Sequence, residues 1–223
     1  CFKINNSYSN EWLKKEIESL KSLENLTIKT RTSLAAYHNY NYLLARENLT
    51  DHLDINEKKD KIRQRLWKIR AKKVIIATGA MERPLIFNNN DRPGVILSSS
   101  IKRYIDYYGV KCGQKVSLFT NNDSGYETAI SLNNSGVIVN SVVDIRDKTN
   151  SLIVKQAEKL GIKIHWKSSV VNTNGYKKIN SIEIMKLSDD GTAVVGKKTK
   201  EECDCLGISG GWTPRVHLFT QSG

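Results

Sequence analysis

Residues 72–87, KKVIIATGAMERPLIF, set a small turn, Thr78-Gly79-Ala80, directly behind the apolar run Val74, Ile75, Ile76 and Ala77. That spacing suits the holding of a nucleotide. Glycine lets backbone approach a ligand closely, and ligands of open α/β sheets sit just outside the carboxyl ends of strands. Residues 207–214, GISGGWTP, repeat the arrangement with Gly210-Gly211-Trp212. Both turns are therefore expected to face a ligand.

A third turn has the right place and the wrong residues. In a dinucleotide-binding unit the first strand is followed by G-x-G-x-x-G, and an acid closes the second strand. Here residues 120–125 read TNNDSG, with one glycine, and Asp123 stands where a pyrophosphate needs backbone amides at a helix start. Asp144 ends the next apolar run, where a ribose-binding acid belongs. Without the glycines it is read as a strand-terminal turn residue.

Other chemistry finds little support. His165 alternates with Ile164 and is expected to face solvent. The cysteines at 1, 112, 203 and 205 lack the spacing of zinc sites or of a disulfide framework. Alternation along a strand puts Cys203 and Cys205 on one side, and they are read as ordinary strand residues rather than a redox pair. Nucleophile elbow, Walker loop and clustered metal ligands are absent, so no catalytic residue and no metal are assigned.

The elements that must position these turns follow from periodicity. Residues 74–77 read as a strand buried on both faces, which belongs in a parallel sheet. Before it come an amphipathic helix over 11–23 with Ser9 or Asn10 as cap, an alternating strand over 26–34, and strands over 42–49 and 64–70 in a meander. The polar stretch 88–94 reads as a linker, and 98–108 as a helix closed by Gly109. A strand from 115 to 120, a helix from 125 to 134 and a strand from 137 to 144 make a βαβ unit. A helix over 150–160 and a strand over 162–166 follow. Strands over 179–187 and 203–209 are expected to flank the hairpin turn Asp189-Asp190-Gly191.

The 223 residues, 39% hydrophobic and 26% charged, suit one large or two small soluble domains. No apolar run is long enough to span a membrane, no leader pattern opens the chain, and a cytoplasmic location with reduced thiols is expected. The chain begins at Cys1 and reads as an internal piece. Net charge is +12, with the densest basic stretch at 58–73, KKDKIRQRLWKIRAKK. One aromatic residue, Trp67, makes no stacking series there, so nucleic acid is not the expected partner.

The order of these motifs is that of the two-dinucleotide flavoprotein reductases. More closely, ATGAMERPLIF, NDRPGVILSSS, FTNNDSGYETA and SGGWTPRVHLFTQSG, with Arg65-Leu66-Trp67 and residues 50–53 upstream, resemble the alpha subunit of heterotetrameric sarcosine oxidase. The resemblance implies an α/β fold: a Rossmann-like inserted nucleotide-binding domain at 93–205, and remnants of an outer FAD/NAD(P)-binding domain at 1–92 and 206–223. It implies an oxidoreductase subunit that binds NAD where related reductases bind FAD, with FAD in place of NAD as the alternative. An FMN would lie at a subunit interface and an FAD in the partner beta subunit, where sarcosine is oxidised to glycine and oxygen becomes peroxide. Beta and smaller subunits would be partners, and tetrahydrofolate would bind a domain beyond this chain.

Carried over residue by residue, cofactor binding falls to Leu34, Thr78, Gly79, Ala80, Arg83, Gly210, Gly211 and Trp212. The FTNNDSG turn is typical of the resembling family and implies that the inserted domain is not a working NADPH site. The family's glycine-rich fingerprint lies outside this sequence, so the piece alone is expected to be inactive and its cofactor affinity reduced. Other subunits of the superfamily, from an opine oxidase or hydrogen cyanide synthase, are alternatives, and so is a basic module without enzymatic work.

Overall fold

The computed structural model describes residues 3–4 and 7–222, and Cys1 lies outside them. The chain forms two compact units, one of residues 1–79 with 214–223 and the other of residues 80–213. The borders expected at 92/93 and 205/206 both fall inside the second unit. The reason is pairing: the strands next to those positions are members of its central sheet.

The first unit begins with the short strands β1 (Lys3–Ile4) and β2 (Ser7–Tyr8) and the helix α1 (Ser9–Lys21). An antiparallel meander of β3 (Thr32–His38), β4 (Tyr42–Asn48) and β5 (Gln64–Arg70) follows, with the single-turn helix α2 (Ile55–Lys58) in the β4–β5 connection. The core is thin. Tyr37, Leu43 and Ala45 are buried, whereas Leu13, Ile17, Leu20 and Leu23 of the amphipathic helix region are exposed. β3 starts at Thr32 rather than 26, because the residues just before it have no ladder partner among the described residues.

Residues 71–79 form no strand, against expectation. A strand is defined by its neighbour, and among the described residues none pairs with this stretch. Ile75 is 92% exposed in consequence. The apolar run is the signature of a strand with both faces covered, whereas here Val74 and Ile76 are half-buried and Ile75 and Ala77 are exposed.

The second unit opens with β6 (Ala80–Glu82), then β7 (Val95–Leu97), α3 (Ser98–Tyr108), β8 (Lys115–Thr120), α4 (Ser124–Asn134), β9 (Ile138–Asp144), α5 (Leu152–Lys159) and β10 (Ile164–His165). Three antiparallel strands follow, β11 (Ser168–Asn174), β12 (Ser181–Leu187) and β13 (Val194–Glu202). Then come β14 (Cys205–Ser209) and β15 (Trp212–Pro214), which reaches the border of the unit. The chain ends in α6 (His217–Gln221) of the first unit.

The central sheet is parallel throughout, in the order β10-β9-β8-β14-β7. Buried on both faces, it needs strands that are largely apolar, and β8 supplies Val116, Leu118 and Phe119 around the buried Ser117. Val116 and Leu118 pack with Ile101, Tyr126, Leu132 and Val154 on the helix side. Phe119 packs with Val143, Val170, Ile182 and Ile208 on the side of the antiparallel sheet.

Three sequence readings change here. The hairpin through Asp190 joins β12 to β13, not to residues 203–209, because β14 is claimed by the parallel sheet between β8 and β7. The supposed linker at 88–94 is tied down: Asn88 bridges Asn172, Arg92 donates to the Thr173 carbonyl at 2.8 Å, and Gly94 accepts from the Leu206 amide at 2.8 Å. The bend at Asp204 sends Cys203 and Cys205 into opposite clusters, so they do not share a side.

Candidate functional site

In the first unit the expected nucleotide turn is built by Thr78 and Gly79. Thr78 Oγ1 donates to the Arg215 carbonyl at 2.8 Å, and the Arg215 amide donates to the Gly79 carbonyl at 3.0 Å. Gly79 has φ of 72°, in the left-handed region that glycine enters without strain. A Cβ built there meets no heavy atom within 4 Å, so the backbone is open on that side. Leu34 lies on β3 opposite Ala45, half-buried.

The second unit holds Ala80, Arg83, Gly210, Gly211 and Trp212. Ala80 begins β6, which pairs with β15. Arg83 is joined by backbone to both glycines: its amide donates to the Gly211 carbonyl at 2.8 Å, and its carbonyl accepts from the Gly210 amide at 2.7 Å. A Cβ on Gly210 would stand 2.8 Å from the Arg83 oxygen and 2.9 Å from the Pro84 oxygen. The close approach that demands glycine there is made by the protein's own backbone. Trp212 donates through Nε1 to Ser124 Oγ at 3.2 Å.

The switch point of the parallel sheet lies between the carboxyl ends of β8 and β14, where Thr120 pairs with Ser209. Side chains stitch it shut. Asn122 donates to the Ser209 carbonyl and hydroxyl, each at 3.1 Å, and its Oδ1 accepts from the Ser124 amide at 2.9 Å. That amide is one a pyrophosphate would need at the start of α4. Gly125 retains a packing role: a Cβ there would lie 2.7 Å from Thr120 Oγ1. The residues at this turn do not fit a dinucleotide phosphate.

Asp144 is committed as firmly. Fully buried, it accepts from Tyr126 Oη at 2.8 Å and from Arg146 through the backbone amide at 3.0 Å and Nη2 at 2.8 Å. Arg146 Nη1 reaches Asp123 at 2.9 Å, so one guanidinium joins both acids. Its bond to Asp144 holds Arg146 above the ordinary range, while burial, then the Asp144 charge, pushes the Tyr126 phenol up. The acid in the ribose position thus serves the fold.

His165 does not face solvent. Half-buried, it meets Glu201 at 3.3 Å, and the same carboxylate accepts from Ser117 at 3.0 Å and from Ser141. Burial pushes Glu201 up, but donors from His165, Ser141 and Ser117 outweigh it and bring the carboxyl to about 2. Burial pushes the Cys203 and Cys205 thiols up to about 12, which leaves them protonated and unreactive. Among the described residues no group of three or more His, Cys, Asp or Glu is placed to hold a metal. Trp67 on the basic strand is engaged as well: its Nε1 donates to Glu47 at 2.7 Å and Lys29 lies 4.3 Å from its ring.

Sequence reasoning missed Glu82. Buried, it accepts from the Ser99 amide at 2.8 Å and so caps α3, whose own first turn carries no acid and no capping side chain. That lack was the one signal available. No helix among the described residues is long and apolar enough to cross a membrane.

No family model matches the chain. Among curated proteins, it is 36% identical over 211 residues to the sarcosine oxidase subunit alpha of Corynebacterium sp. (strain U-96), covering 95% of this chain and 22% of that protein. It is 33% identical over 207 residues to the protein of the same name from Rhizobium meliloti (strain 1021), covering 92% and 20%. The chain thus spans about a fifth of the length of the curated relatives it matches. Among solved structures, the thioredoxin reductase of T. acidophilum matches with a TM-score of 0.66 at 18% identity, covering 98% of this chain and 64% of that one. The bacillithiol disulfide reductase of Bacillus cereus matches with 0.66 at 14%, covering 100% and 63%. The fold is therefore that of these reductases, and by sequence the chain is similar, over nearly its whole length, to one part of the alpha subunit of sarcosine oxidase.

Proposed function

We propose that the chain is the dinucleotide-binding part of the alpha subunit of a sarcosine oxidase-type oxidoreductase, a scaffold rather than the place of the chemistry. The observation that carries this is the 36% identity along 95% of the chain to a subunit of that name. In the first unit, Leu34, Thr78 and Gly79 are assigned to NAD, with FAD as the alternative, because the Gly79 backbone is held in place and open on one side. In the second unit Ala80, Gly210 and Gly211 shape the strand pair that presents the exposed Arg83 side chain, whose charge suits a phosphate. A nicotinamide supplies hydride exchange when bound; these residues supply binding and orientation. The closed turn at Asn122 argues against a second dinucleotide in the 80–213 unit.

On this reading flavins, beta and smaller subunits, folate and sarcosine itself are met by the assembled enzyme. Co-expression with a candidate beta subunit tests it. The expected outcome is a yellow complex that releases NAD on acid denaturation and forms peroxide from sarcosine. A well-folded complex with no flavin spectrum and no peroxide would overturn it.

A further inference from the structure

The meander of the first unit has two unlike faces. Side chains alternate along each strand, so the register places Leu43, Ala45, Glu47 and Trp67 on one face and Tyr42, Leu44, Arg46, Leu66, Lys68 and Arg70 on the other. The first face holds the buried Leu43 and Ala45, and its charges are balanced: Glu47 meets Lys29 at 3.3 Å and Arg65 at 3.8 Å. The second face is open and unbalanced. Arg46, Lys68 and Arg70 are exposed there with no ion-pair partner among the described residues, and no acid of β3, β4 or β5 shares the face. Arg70 is fixed rather than neutralised: Nη1 donates to the Tyr40 carbonyl at 3.3 Å, and the guanidinium carbon lies 5.2 Å from the centre of the Tyr42 ring.

Apolar groups stand among these cations. Lys68 is paired across the strands with Leu44, and Arg46 with Leu66, which is 58% exposed, so each of these cations has a leucine beside it. Lys68 and Arg70, two positions apart on one strand, are spaced by about 7 Å. Carboxylates four positions apart on a helix, at about 6 Å, match that spacing. Nucleic acid would need a free stacking platform as well as cations. Tyr42 does not supply one, being half-buried between His38, at 5.9 Å, and Arg70. A second copy of this chain would bring the same cations, and like charges set face to face are unfavourable. Arginine and lysine around exposed leucine, without counter-charge, suit a protein partner that brings the acids.

We propose that this face of the meander docks an acidic amphipathic helix of a partner protein, whose carboxylates meet Arg46, Lys68 and Arg70 and whose apolar side chains cover Leu44 and Leu66. The surface lies wholly within the first unit and does not depend on the dinucleotide assignment.

The test uses the whole chain in fluorescence anisotropy, the probe being a dye-labelled helical peptide of about 18 residues with Glu at i, i+4 positions around Leu. The peptide should bind at about 50 mM salt with Kd on the order of 10 μM, and about tenfold more weakly at about 300 mM salt. Arg46→Glu with Lys68→Glu should weaken it about tenfold. Lys177→Glu with Lys178→Glu, the same change in net charge at exposed positions of the other unit, should alter it less than about twofold. Circular dichroism verifies folding, and Arg46→Gln with Lys68→Gln takes over where the reversal disturbs it. A peptide with Ser in place of Leu should bind about tenfold more weakly. No binding at about 1 mM peptide, equal weakening by the two charge-reversal pairs, equal binding of the Ser peptide, or an oligothymidylate of equal charge binding more tightly than the Glu/Leu peptide would each overturn the proposal.

Discussion

Asp144→Asn separates two roles for the acid at the end of β9. In the structural role the carboxylate is a buried counter-ion held by the Tyr126 hydroxyl and by Arg146. Removing one partner of a buried ion pair costs about 3–5 kcal/mol. Arg146 is 28% exposed and keeps Asp123 at 2.9 Å, so screening and the second acid reduce this to about 2–3 kcal/mol. The asparagine amide also brings donors where Tyr126 and Arg146 already donate, which keeps the loss near the upper figure. Urea unfolding followed by circular dichroism should show a lower midpoint with an unchanged slope. NADPH affinity, measured by titration, should be as weak in the variant as in the parent. A stability change below about 0.5 kcal/mol, the range of an inconsequential surface change, together with a loss of NADPH binding, would refute the structural role.

The Glu201 carboxyl lies at about 2 in the fold against an ordinary 4.5. A lowered value means stability that is present above about pH 4.5 and lost as pH falls through 2. Glu201→Gln should therefore cost up to about 3 kcal/mol at pH 7 and nothing extra near pH 2, read from urea midpoints across pH. Gly125→Ala presses a methyl onto buried Thr120, 2.7 Å from its Oγ1; a loss of about 1–3 kcal/mol in thermal unfolding is expected, and an unchanged melt would contradict the packing. Crystals soaked in NADPH should show no pyrophosphate density at residues 121–125, where Asn122 holds the Ser124 amide. Iodoacetamide should label Cys112 ahead of Cys203 and Cys205, whose thiols burial pushes to about 12, and rapid labelling of the latter pair by mass spectrometry would count against their burial.

What the sequence by itself determined is whatever local periodicity and capping control. Ser98 to Tyr108 was legible as a helix from the spacing of Ile101, Tyr104, Ile105 and Tyr108, and Gly109 ends it with φ of 64°. The run Lys115–Thr120 reads as the opening strand of a βαβ unit, and β8 forms there. Gln64–Arg70 reads as a strand, and the meander forms around it. The missing glycines of the TNNDSG turn were equally plain, and side chains occupy the place that phosphate would need.

Only the tertiary structure decided which strands meet and what the polar side chains do. Residues 74–77 have a strand's composition but no ladder, because pairing is a property of neighbours. Val194–Glu202 is a strand despite its lysines, since it is the exposed edge of an antiparallel sheet, where charge is tolerated. Glu201 belongs with Ser117, Ser141 and His165, and Glu82 with Ser99, through contacts spanning from 17 to 84 positions along the chain. Such partners have no local signature. A buried polar group is satisfied by whatever the packed layers bring to it, and that is settled only when the sheet, the helices and the meander are in place.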